Sequence, residues 1–74
     1  MIMITEAWRA YAEYADGTEV DEFIPYTANG NYEKECEEQY NIEAWLIERD
    51  KECTFYSVGY YGEVDEDEIY KGRV

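Results

Sequence analysis

Histidine is absent from this chain, serine and proline occur once each, and six basic residues face 19 acidic ones. Each shortage removes a kind of chemistry. Without histidine there is no imidazole base and no imidazole metal ligand. Ser57 has no neighbouring base to activate it, so it reads as structural. Lys34, Lys51 and Lys71 lie in polar stretches, where no burial would depress an amine pKa. Cys36 and Cys53 form no Cys-x-x-Cys pattern and fall short of the usual four zinc ligands. With one helix between them they would stand about 20 Å or more apart, beyond the roughly 7 Å that a disulfide spans. Two free thiols are therefore expected, with Cys36 on the core face.

Other motifs are also missing. "YYGE" and "TANGN" are turn material rather than phosphate-cradling loops. "DEDE" at 65–68 opens like a calcium loop but lacks the glycine at the sixth position and the glutamate at the twelfth. Close carboxylate pairs are inevitable among so many acids, so none marks a glycosidase-like site. No catalytic residue, metal site or cofactor is expected, and the chain reads as non-enzymatic. No apolar run approaches 18 residues, which excludes a spanning helix. Met1 to Ile4 is too short for the apolar part of a signal peptide. The expected location is the cytoplasm, where thiols stay reduced.

What the sequence has in plenty is aromatic rings and negative charge: nine Tyr, two Trp and two Phe in 74 residues, with a net charge of −13. A single domain this small buries only about 60% of its unfolded surface. Rings that each bury roughly 150–250 Å² supply the missing core. The charge lies well beyond the magnitude of about 2–8 usual for a small domain. Direct binding to nucleic acid or to an anionic membrane is excluded, since like charges repel and no basic patch exists. The natural complement is a basic protein surface, such as that of a nucleic-acid-binding protein or nuclease.

Residues 2–15 alternate, with Ile2, Ile4, Trp8, Ala10, Ala12 and Tyr14 on one side and Glu6 as the exception. Asp16-Gly17 then marks a hairpin turn. A second strand runs from about Thr18 to Tyr26, and Pro25 places it at a sheet edge. Asn29 or Asn31 caps a helix from about Tyr32 to Arg49. Acidic residues crowd its first turns, where the helix dipole favours them. Its expected apolar stripe is Tyr32, Cys36, Tyr40, Ala44 and Ile47, flanked by Leu46 and interrupted by Glu43. A strand at 54–61 follows and ends at Gly62, with a short extension around Ile69 and Tyr70. The expected fold is α+β: a small two-layer ββαβ domain, with sheet order 2-1-3 from a right-handed crossover. If the helix stops near Gln39, residues 42–48 become a strand and the fold becomes ββαββ. Residues 1–62 form the domain and 63–74 an acidic C-terminal tail.

The charge spacing suggests a partner-binding set of carboxylates. It comprises Asp16, Glu19, Asp21 and Glu22 on the hairpin, Glu33, Glu37 and Glu48 on the helix, and Asp65, Glu66, Asp67 and Glu68 in the tail. Duplex DNA carries about one charge per 1.7 Å, and its binders present Lys and Arg to match. Such a carboxylate set could occupy their groove as a nucleic-acid mimic. One helix covers only one face of a three-stranded sheet. The other face would carry Tyr11 and Phe23, a second contact surface for a protein partner or for a homodimer.

The stretches "AWRAYAEYADGTEVDEF" (7–23) and "EEQYNIEAWLIERDKECTFYSV" (37–58) resemble small uncharacterised acidic proteins of Firmicutes prophages and conjugative elements. The resemblance implies a phage or mobile-element context, in which short acidic proteins inhibit host defence. Anti-CRISPR and anti-restriction activity are the functions it brings forward.

Overall fold

A computed structural model describes residues 3–72. The Asp16-Gly17 turn joins strand β1 (Ile4–Tyr14) to strand β2 (Glu19–Pro25) as an antiparallel hairpin, with Trp8 opposite Ile24 and Ala12 opposite Val20. Gly17 sits at φ 89°, a conformation open to glycine and costly for a side chain. The Asp16 carboxylate accepts from the Thr18 amide at 3.0 Å and its hydroxyl at 2.6 Å, which closes the loop locally.

Helix α1 (Tyr32–Ile47) starts where the Asn31 side chain accepts from the Lys34 amide at 3.1 Å. Asn29 and Gly30 both hold positive φ, turning the chain into that cap. The helix stops at Ile47, two residues before the expected Arg49. The ββαββ alternative fails, because Ile42 and Leu46 are helical and are the largest fully buried side chains.

The expected stripe is out of phase. Tyr32 is 76% exposed and Tyr40 69%, and Cys36 is exposed rather than on the core face. The inward side instead runs through the partly buried Glu35, Glu38 and Gln39 to Ile42, Trp45 and Leu46. Glu38 turns inward because the indole of Trp8 donates to it at 2.9 Å. Polar residues on the buried side disguised the helical phase. Both cysteines are free thiols, and it is Cys53 that packs against the core.

Strand β3 (Cys53–Asp65) pairs antiparallel with β1, giving the order β2-β1-β3. The two outer strands thus run parallel to each other, and the fold is the small α+β ββαβ domain. Gly62 does not end the strand. Ala7 pairs with Gly62 and Trp8 with Tyr60, so Tyr61 is the extra residue of a β-bulge. Gly62 absorbs the distortion at φ 126°.

Trp8, Ala10, Ala12 and Tyr14 of β1 face Ile42 and Leu46 of α1, with Ile24 beside them. The alanines leave room for the helix to lie close against the sheet. The molecule is a slab, 38 × 30 × 18 Å. Beyond β3, a 3-10 helix (Glu66–Glu68) crosses the start of β1, where the Glu66 amide donates to the Met3 carbonyl at 2.8 Å. Ile69 then bridges Phe23 in parallel, and the Tyr70 amide donates to the Phe23 carbonyl at 2.8 Å. The Tyr70 ring packs on Trp45 of the helix at 5.1 Å. This short extension lies along the outer edge of β2. Among the described residues, no helix is long and apolar enough to cross a membrane.

Candidate interaction surfaces

The hairpin carboxylates divide between the two faces of the sheet. Glu19 and Asp21 lie opposite Glu13 and Tyr11 on the face away from the helix, whereas Glu22 lies opposite Ala10 on the helix side. Asp21 takes both a 3.1 Å and a 2.9 Å bond from the Arg9 guanidinium, which holds its carboxyl below the usual range. The Tyr11 hydroxyl donates to Glu13 and, at 2.9 Å, to Glu19. Asp16 is held down to about 2 by the Thr18 hydroxyl and amide, with Lys51 adding a 3.3 Å ion pair.

Glu33, Glu37 and Glu48 are exposed on the helix or at its C-terminal end. Asp65 caps the 3-10 helix by accepting from the Asp67 amide at 3.0 Å. Glu66, Asp67 and Glu68 are exposed beside it. The hairpin turn and the 3-10 helix stand at opposite ends of β1. The acids expected to bind a partner therefore do not converge. Asp16, Glu19, Asp21 and Asp65 also hold local structure. Glu22, Glu33, Glu37, Glu48 and Glu68 make no side-chain hydrogen bond or ion pair among the described residues.

Tyr11 and Phe23 are both partly buried on the face without a helix. Each meets an aromatic ring of β3: Tyr11 lies 6.1 Å from Phe55, and Phe23 lies 4.7 Å from Tyr61. Arg9 lies between these pairs in the register and stacks 6.0 Å from the Tyr11 ring. A hollow of about 460 Å³ runs between Tyr11, Phe55 and Tyr61 over Ser57 and Gly59.

A second hollow, of about 590 Å³ and not foreshadowed by any motif, lies where the start of α1 overhangs β1 and β3. Trp8, Tyr26 and Tyr60 line it, with rings 5.6 Å and 5.1 Å apart. Each ring donates to a carboxylate: Tyr60 to Glu6 at 2.6 Å, Tyr26 to Glu35, and Trp8 to Glu38. The bond to Glu6 pushes the Tyr60 hydroxyl up to about 12, and that to Glu35 raises Tyr26. These phenols are fixed as donors, not poised as bases. The available signal was Glu6, the one residue that breaks the apolar alternation of the first strand.

Taken together, these surfaces define a small acidic α+β domain with carboxylates on both faces. No family model, curated protein or solved structure matches the chain.

Proposed function

We propose that the protein is a non-enzymatic interaction domain that inhibits a nucleic-acid-binding protein of a bacterial host, a defence nuclease of the kind met by anti-CRISPR and anti-restriction proteins. It acts by competition, placing carboxylates where phosphates would bind. One observation carries this reading. Against 19 acidic residues in the sequence, only two side-chain ion pairs, Arg9–Asp21 and Lys51–Asp16, form among the described residues. The remaining charge is left for an outside cation. The exposed carboxylates of Glu33, Glu37 and Glu48 on the helix and its C-terminal end, unpaired among the described residues, meet Lys and Arg of the partner, which brings steered association and steep salt dependence. The prophage context suggested by residues 7–23 and 37–58 supplies a host in which such a target exists.

The test is capture from a bacterial lysate at about 50 mM and about 500 mM salt, with bound proteins identified by mass spectrometry. A nuclease or other nucleic-acid binder held only at low salt, and released by added DNA or RNA, is the expected result. Replacing Glu33, Glu37 and Glu48 by Gln should weaken that capture without unfolding the domain. Partners that persist at high salt and are lost on Tyr11→Ala or Phe23→Ala would overturn the mimic. They would favour the second reading, a protein-binding module that uses the face of paired aromatics. The Phe23–Tyr61 and Tyr11–Phe55 contacts support that alternative.

A further inference from the structure

The two edges of the sheet are built in opposite ways. The β2 edge carries Glu19, Asp21 and Glu22 and ends at Pro25, and Ile69 and Tyr70 occupy its backbone at Phe23. Charge, proline and a covering segment are the usual protections against unwanted strand pairing. The β3 edge has none of them along its first ten residues. From Cys53 to Gly62 it holds no Asp, Glu, Lys, Arg or Pro, and it pairs with β1 on one side only. Phe55, Tyr56, Tyr60 and Tyr61 along it are between 43% and 56% exposed.

We infer that the outer edge of β3 pairs antiparallel with the same strand of a second copy, giving a continuous six-stranded sheet. The charge distribution selects the occupant. In a chain of net charge −13, two copies can meet without opposing carboxylates only along an uncharged strip, and β3 supplies one. A basic partner would gain nothing there, since the strip offers it no carboxylate. The sequence is also self-complementary. A two-fold axis through Val58 sets Tyr56 opposite Tyr60 of the second copy on the helix side of the sheet. On the other side it sets Phe55 opposite Tyr61, and Ser57 opposite Gly59. Aromatic residues facing each other across strands are favourable pairs. The interface is isologous and closes on itself.

The salt response separates this inference from the proposed function. Pairing of two acidic copies strengthens as salt screens their repulsion, whereas capture of a basic partner weakens. The experiment is sedimentation of the purified full chain over a concentration series, at about 0.01 M and about 1 M salt. The expected result is a concentration-dependent rise from 8.8 kDa to twice that mass, reached at lower protein concentration in high salt. Gly59→Glu adds a charge to the strip. A Cβ at Gly59 meets nothing within 4 Å, so the variant should fold, which far-UV circular dichroism checks. It should stay monomeric, while Glu19→Gln on the other edge should pair like the parent chain. Concentration-dependent slowing of amide exchange at 55–60 in the parent, lost in Gly59→Glu, gives a second readout. A parent that stays monomeric in high salt at every soluble concentration overturns the inference. So does a dimer unaffected by Gly59→Glu, or a β3 edge occupied instead by a strand of another protein.

Discussion

The Tyr14 hydroxyl donates to the Leu46 carbonyl at 2.7 Å, tying the last residue of β1 to the last turn of α1. The final carbonyls of a helix have no partner within it. Here a side chain from the sheet serves one of them, inside the core. Burial raises the Tyr14 pKa, so the hydroxyl remains a donor across the physiological range.

Tyr14→Phe keeps the ring and strands that carbonyl. The expected loss is about 1–3 kcal/mol, or roughly 4–8 °C in Tm for each kcal/mol in a domain of this size. Urea denaturation of the two proteins measures it. Leu46→Ala, which empties a fully buried site, should cost more, about 2–5 kcal/mol.

Glu38 joins three elements. It accepts from Trp8 of β1 at 2.9 Å, from the Thr27 hydroxyl at 2.8 Å and from the Thr27 amide at 3.1 Å. Glu38→Ala should therefore cost about 1–3 kcal/mol. Its neighbour Glu37 is exposed, and Glu37→Ala should stay within about 0.5 kcal/mol of the parent. Equal effects in paired denaturation curves would contradict this difference.

That contrast also marks the limit of what the sequence discloses. Asp16-Gly17 and the alternation of Trp8, Ala10, Ala12 and Tyr14 are local signals, and they give the hairpin and its core face. The sheet order follows from a single helix between two strands and a proline at one edge. The helical phase does not follow. Glu35 and Glu38 look like surface residues until Tyr26 and Trp8, remote in sequence, turn out to be their donors. Tyr32 and Tyr40 look like core residues and lie outside. Gly62 looks like a strand end because a bulge and a stop share the same residue preference. The acidic candidate surface was legible as total charge only, whereas strand alternation already put Tyr11 and Phe23 on the face without a helix. Whether separated acids converge depends on which face each strand presents.

Acid should weaken the hairpin turn at a defined point. The Asp16 carboxyl falls from its ordinary 3.8 to about 2 on folding. A lowered folded pKa contributes stability that is fully present above the unfolded value. It is lost as pH falls through the folded one. Asp16→Asn should be less stable than the parent at neutral pH, and the gap should close between pH 3.8 and about 2. Thermal melts of both proteins at pH 6 and pH 2 would check this, and a gap independent of pH would contradict it.

Self-repulsion should be measurable as well. Stability should rise with salt between about 0.01 M and about 1 M, because screening relieves a net charge of −13. Glu33 and Glu37 are a like-charged pair at i, i+4, which costs about 0.2–0.5 kcal/mol. Glu37→Gln should recover that amount at low salt and little at high salt. Guanidinium is itself a salt, so urea is the denaturant for this measurement.

The central strand of the sheet is the first to be synthesised, and one of its two neighbours is the last. β1 can form its hairpin early, but Trp8 and Ala10 wait for Tyr60 and Val58 to complete their layer. Translation therefore leaves a half-built sheet, with an aromatic face and no second neighbour for β1, until β3 has followed α1 out of the ribosome. Contacts this distant in sequence slow the search for the native state. Repulsion among the acids already present on the hairpin, Glu13, Glu19 and Asp21 among them, should then keep such half-built sheets apart until β3 docks.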